Sequence, residues 1–387
     1  MAKFKWTSNE GIATLILAVL SCQFIFFEGM EVSIPKALFM SLTPLLLLTR
    51  APYMSKAIFL GGFFWVLTVL LSVLQFGPTR MSTFYYTAMF LSTFALYYNL
   101  VYIKKVFSLD GFLRVVKCII YAYAICLVLQ QMCILVGIRY MPLINLMGMR
   151  YYSLFHLNTL AIEPSHAARI LTVYFYAFLK LLEYKDGRAP KLKMLWREQR
   201  WTVLAFLYTM VSIGSGTAFV GLGILALYFM RREYAVYAVV GASALYMLIP
   251  LIHYEPLERA VAVFNAALSG DTETVIKTDH SASARVNIIL DTFLHLDVTD
   301  PGTWWGRGVD SSYTAGRAVV SAITDYGLFS YLSKLALFFS CCFTRFLSLE
   351  VLIFVLLFSL NVGNIAYGWA CLMVFSTLKY FQIQYKK

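Results

Sequence analysis

Long apolar runs recur along the whole chain, and most of them end at a short cluster of lysine and arginine. A helix needs about 20 mainly apolar residues to cross a bilayer, fewer where its ends carry long snorkelling side chains. By that measure the runs near 11–28, 34–49, 57–76, 82–102, 115–137, 167–183, 201–213, 216–230, 234–252, 318–343, 348–362 and 364–380 predict twelve crossings. Backbone groups inside lipid must bond to one another, which leaves helices or closed barrels, and the alternation of a barrel is missing. The expected fold class is therefore all-α: a polytopic helical membrane protein with about 12 transmembrane helices and one large extracytoplasmic loop. Charged residues are 13% of the chain and hydrophobic ones 60%, against roughly 25% charged in soluble domains. The first run is followed by Glu28, Gly29 and Met30, not by a small-residue cleavage site, so it reads as a first span and not as a signal peptide.

The basic clusters fall at every second boundary: Lys3 and Lys5; Arg50 and Lys56; Lys104, Lys105, Arg114 and Lys117; EYKDGRAPKLKMLWREQR (Glu183 to Arg200); Arg231 and Arg232; Arg345; Lys386 and Lys387. By the positive-inside rule these mark the cytoplasmic side and put both termini there. The formal charge of +12 is thus an orientation signal, and without a soluble basic face nucleic acid is excluded as a partner. Splitting 201–230 into two spans is what keeps the alternation intact. It makes SIGSG (Ser212 to Gly216) an outer turn, followed by small residues four apart, Thr217 and Gly221, suited to close helix contact. The resulting order is N-terminal transmembrane helices in 1–137, a first extracytoplasmic loop and helix start in 138–169, middle transmembrane helices in 170–252, a large extracytoplasmic loop with amphipathic helices in 253–317, and C-terminal transmembrane helices in 318–387. The seven cysteines have no metal-ligand spacing and read as small apolar residues.

Both outer loops carry the residues with chemistry. All five histidines, His156, His166, His253, His280 and His295, lie in or beside them, although histidine is rare in lipid for any reason. Arg139, Arg150 and Arg169 accompany a single acid, Glu163, where positive residues are normally depleted. In AIEPSHAARI (Ala161 to Ile170) Pro164 suits a first helical turn and keeps Glu163 extended. Glu163, Ser165, His166 and Arg169 then gather at a helix start. A capped helix with polar residues at the headgroups explains the box as well as a phosphate-binding helix terminus does.

In the large loop, Leu257 to Leu268 is amphipathic, and SASARVNIILDTFLHL predicts a second such helix with Ser281 and Ser283 as caps. Arg285 in its first turn opposes the helix dipole, so stability alone does not select it. PGTWWGRGVDSS follows, a glycine-rich turn presenting Arg307, with Arg317 at the mouth of the next span. Trp304 and Trp305 suit a sugar face or an interfacial aromatic belt. Asp291, Asp297, Asp300 and Asp310 read as solvated loop acids, and no D-x-D or HExxH spacing appears. The expectation is metal-independent chemistry, with no metal and no cofactor.

Together these segments resemble a family. The EPS box, SIGSGTAFVGLGI, SASAR, the G-R-G turn and D-Y-G-L-F-S-Y-L (Asp325 to Leu332) look like Wzy-type O-antigen and exopolysaccharide polymerases, relatives of the O-antigen ligases. The resemblance covers roughly Ile162 to Leu332. It implies a C-type glycosyltransferase of the bacterial inner membrane, acting on oligosaccharide carried by undecaprenyl diphosphate, amid membrane lipids and with room for a chain-length regulator as a partner.

On that resemblance Arg285 and Arg169 contact the diphosphate, with Arg307 and Arg317 as further diphosphate-binding cations and Trp304 and Trp305 as sugar-binding residues. The planar guanidinium fork suits phosphate oxygens. Glu163, His166 and His280 are the candidate catalytic bases, unranked. The ligases place a histidine shortly after the glycine turn, and Asp310 to Arg317 has none, which favours a polymerase. A ligase or other lipid-linked glycosyltransferase, a transporter or flippase, and a non-catalytic scaffold are the alternatives. A transporter should carry mid-span charges and internal repeats; mid-span charges are nearly absent here and no repeat is evident.

Overall fold

The computed structural model describes residues 8–23, 33–74, 81–138, 154–230, 258, 296–308 and 322–385. Among them the regular structure is all helical, as expected, and thirteen α-helices have both ends described: α1 Asn9–Ser21, α2 Ile34–Arg50, α3 Lys56–Leu74, α4 Met81–Tyr102, α5 Leu109–Leu135, α6 Pro164–Asp186, α7 Leu192–Glu198, α8 Arg200–Ser212, α9 Gly216–Phe229, α10 Pro301–Trp305, α11 Gly327–Cys342, α12 Leu349–Phe358 and α13 Ala366–Tyr385. Two of these, α3 and α5, are long and apolar enough by themselves to cross a membrane. Helices α4, α6 and α13 have the length but carry more tyrosine, hydroxyl and charged residues. The expected span at 234–252 and the amphipathic helices of the large loop lie outside the described residues.

Local chemistry explains where helices start and stop. Ser8, Ser108 and Ser348 each accept a backbone N–H two or three residues into their helices, satisfying a first-turn donor. Pro44 inside α2 removes the donor that would reach the Met40 carbonyl, and the Thr43 hydroxyl donates to that carbonyl at 2.7 Å instead. The apolar stretch 201–230 is divided into α8 and α9 by Gly214, whose φ of +58° is left-handed. The run expected at 318–343 contains a break: α11 begins at Gly327, at φ +84°, where a Cβ would stand 2.3 Å from the Trp304 carbonyl oxygen. Glycine is required there on both counts.

At the centre stand α6 and α13, packed on each other, with α5, α8 and α9 around α6 and α1, α4 and α11 around α13. Both are buried along most of their length. Gly221 seats α9 on α6, because a Cβ there would fall 2.2 Å from the Thr172 hydroxyl. The small residue that shares its buried face is Ala218; Thr217 is only half-buried. Phe90, Phe94 and Phe338 pack around the fully buried Trp369 of α13.

The bundle is also apolar on the outside. Phe59, Phe63, Val66, Leu70 and Val73 form an exposed stripe on α3, and Leu38, Leu42, Leu45 and Leu48 one on α2, while Asn99, Gln130, Lys334 and Asn361 are buried.

Specific bonds fix which helix ends lie together. Lys185 at the end of α6 pairs with Asp110 at the start of α5 at 2.7 Å, and Lys117 of α5 donates to Gln199 just before α8. Lys379 near the end of α13 donates to the Ser340 and Phe343 carbonyls at the end of α11. The start of α6, the α8–α9 turn, the start of α11 and the start of α13 accordingly occupy the opposite end.

Candidate functional site

At that opposite end, the segment 154–163 is fastened before it enters α6. Gln130 of α5 bonds it three times, accepting from the Thr159 amide at 2.9 Å and donating to Asn158 Oδ1 at 3.0 Å and to the Thr159 carbonyl at 3.2 Å. The Leu160 carbonyl accepts from the Gln23 amide. His156, at φ +79°, sits on the α8–α9 turn: its amide donates to the Ser212 carbonyl, and a side chain at Gly214 would strike its ring at 2.9 Å. The SIGSG turn is thus the seat of His156.

Glu163 is extended (φ −134°, ψ 150°) and Pro164 opens α6. The Glu163 carbonyl accepts from the His166 and Ala167 amides, whereas its carboxylate lies 3.9 Å from His166 Nε2 and 3.5 Å from the Ser165 hydroxyl. One turn on, Arg169 donates from Nη1 to the Tyr367 hydroxyl at 3.0 Å. The His166 ring lies on the Tyr367 ring, with centroids 4.6 Å apart. Glu163, His166 and Arg169 therefore form one cluster whose floor is Tyr367, from the first turn of α13. Tyrosine at 367 carried no sequence signal, being one of 26 in the chain.

The electrostatics of the cluster centre on Arg169. It is half-buried, its Nε is buried without a hydrogen-bond partner, and among the described residues no carboxylate lies within ion-pair distance of it. A guanidinium held on one side by a phenol has donors of its planar fork left over, and such a fork pairs best with carboxylate or phosphate oxygens.

The glycine-rich turn forms a second cluster. Asp300 caps α10 by accepting from the Gly302 amide at 2.8 Å, and its other oxygen pairs with Arg307 Nη2 at 2.5 Å. The Arg307 guanidinium beside it, together with the Gly302 amide, holds the Asp300 carboxyl below the usual carboxylate range. Asp297 is lowered as well, by the Thr299 hydroxyl and amide. These two acids organise the turn and are not merely solvated. Arg307 and Gly308 are stitched to the Thr324 and Asp325 carbonyls.

Trp304 donates from its indole to the Val298 carbonyl and packs tilted against Phe329; Trp305 meets Phe329 edge-on and stays about half exposed. Leu71 and Leu74 of α3 face Pro301, Trp305 and Arg307 across a groove of about 460 Å³. Of the two tryptophans, Trp305 is the one with a large exposed area. Arg307 already has a carboxylate partner, in contrast to Arg169.

The two clusters are built on different helices, α6 with α13 and α10 with α11. His280, Arg285 and Arg317 lie outside the described residues. Among the described residues no group of three or more His, Cys, Asp or Glu is arranged to hold a metal ion. The chain matches no protein-family model, no curated protein and no solved structure.

Proposed function

We propose that the chain is a polytopic enzyme of the bacterial inner membrane that joins lipid-linked repeat units, in the manner of the Wzy-type polymerases it resembles. The membrane part of this reading rests on the apolar exterior of the bundle, with Asn99, Gln130, Lys334 and Asn361 drawn inside it, and on α3 and α5, which are long and apolar enough to span. The twelve-span count, both termini cytoplasmic and the 253–317 loop outside are taken from the hydropathy and charge pattern of the sequence. The transferase part rests on one observation: Arg169, in the first turns of α6, has a buried Nε without a hydrogen-bond partner among the described residues and stands next to an acid–histidine pair.

In the proposed reaction the sugar–oxygen bond to undecaprenyl diphosphate breaks and the diphosphate leaves with the bonding electrons. The reducing-end carbon bonds to a hydroxyl oxygen of a second lipid-linked unit, and that hydroxyl's proton passes to a base. Arg169, with Arg285 from the large loop, stabilises the charge gathering on the diphosphate, an electrostatic contribution of the kind that dominates many enzymes. His166 is the base in this reading, and Glu163 beside it stabilises the imidazolium that forms. Trp305, half exposed beside the groove, is the sugar-binding residue in this reading.

The test is polymer formation from purified lipid-diphosphate-linked repeat units by the wild type, Arg169→Ala and Arg285→Ala, with insertion verified for each. Longer chains from the wild type alone support the reading. Equal polymerisation by the Arg169 variant removes that residue from the site, and transfer to a non-lipid-linked acceptor core without chain growth moves the assignment to a ligase.

A further inference from the structure

At the far end of α6 from His166, the short helix α7 carries a surface that the proposed reaction does not use. Its only buried residue is Leu195. Beside it Leu192 and Trp196, one turn apart, are exposed, and Trp201 follows, exposed, at the start of α8. From Trp201 an exposed apolar stripe runs up α8 through Leu204, Tyr208 and Val211, with helical spacing of three and four. Around the tryptophans stand the exposed cations Arg188, Lys191, Lys193, Arg197 and Arg200. Among the described residues Arg197 alone of them is in an ion pair, with the neighbouring Glu198, while the Arg200 guanidinium lies over the Trp201 ring at 5.0 Å.

Read along one face, the order is aliphatic stripe, then tryptophan, then lysine and arginine. A phospholipid monolayer presents acyl chain, interface and phosphate in that same order. We propose that α7 and the start of α8 form a docking surface for anionic phospholipid headgroups in the leaflet at the Lys/Arg-rich end of the bundle, with Trp196 and Trp201 at the level of the glycerol backbone. Five cations against one acid supply the charge complementarity. Basic residues next to a membrane surface each add a modest attraction to anionic lipid that fades within a Debye length. The inference rests on the membrane part of the proposed function and is independent of the glycosyl transfer.

The test uses the full chain reconstituted into phosphatidylcholine vesicles containing a fixed fraction of phosphatidylglycerol, with bromine on the acyl chains of one lipid or the other. The fluorescence lost between wild type and Trp196→Phe/Trp201→Phe isolates the two reporter indoles. At low salt, brominated phosphatidylglycerol should quench that signal about twofold or more beyond equal brominated phosphatidylcholine. Lys191→Gln/Lys193→Gln/Arg200→Gln should erase the preference and Lys191→Arg/Lys193→Arg should keep it. Equal quenching by both lipids, in a chain that resists carbonate extraction, overturns the headgroup inference alone. No quenching by either means that a protein or water covers this face, which also overturns it. A chain that carbonate strips from the vesicles overturns the membrane reading with it.

Discussion

Arg169 and Tyr367 are 198 positions apart in sequence, yet the guanidinium donates to the phenol oxygen at 3.0 Å, and the same phenol ring underlies His166. Tyr367 therefore sets the position of both side chains without adding charge of its own. Tyr367→Phe should keep the ring packing and remove the acceptor, lowering polymer formation by about tenfold, the worth of one hydrogen bond to a charged group. Chain length against time, with circular dichroism to verify the fold, checks it. Undiminished activity would show that Arg169 is oriented by something else.

Gly221 tests the packing that holds α6 in place. Adding a methyl there forces it against the Thr172 hydroxyl, 2.2 Å away, and overpacking of this kind costs about 1–3 kcal/mol. Gly221→Ala should lower the thermal midpoint in detergent, and Gly221→Ala/Thr172→Ala should recover most of the loss because the obstructing oxygen is gone. A double variant no better than the single one would locate the strain elsewhere.

Thus far the sequence was a good guide to elements and a poor one to partnerships. The break at SIGSG, the extended Glu163 before Pro164 and the all-α class were legible because proline, glycine and hydropathy act locally. Tyr367 was not, since its role comes from α13 lying against α6, a long-range choice that no local pattern encodes. Arg307 looked like a presented cation for the same reason: its spacing to Asp300 is visible, but only the fold of the turn makes the two meet.

The Asp300–Arg307 pair has a pH signature. Because Asp300 is held below the ordinary carboxylate range, its contribution to the turn is complete above that range and is lost only as pH falls through the lowered folded value. Trp305 fluorescence should stay flat from neutral pH to about 4, the ordinary carboxylate value, and change below it. Asp300→Asn should remove the transition. A transition centred well above 4 would mean that the pair is not formed.

Lys334 donates to Asn361 Oδ1 at 2.8 Å and lies over the Phe64 and Phe338 rings. The same Asn361 oxygen accepts from the Gly363 amide at 3.1 Å, so one amide oxygen serves both the amine and the turn leading into α13. Asn361→Leu leaves a buried donor unsatisfied and should cost about 1–3 kcal/mol, read as a lower thermal midpoint. An unchanged midpoint would mean that water replaces the amide.

Because α6 and α13 are buried along most of their length and carry Arg169 and Tyr367 at the same end, the two helices behave like the jaws of a caliper. A slip of one past the other by a single residue rises about 1.5 Å, enough to part a 3.0 Å hydrogen bond. The Arg169–Tyr367 contact is thus gauged by packing at the other end of the same helices, where Tyr102 bonds the Ser376 carbonyl and Lys379 clasps the end of α11. Substitutions at that remote end will be felt at Arg169 as a change of register before they are felt as a loss of fold.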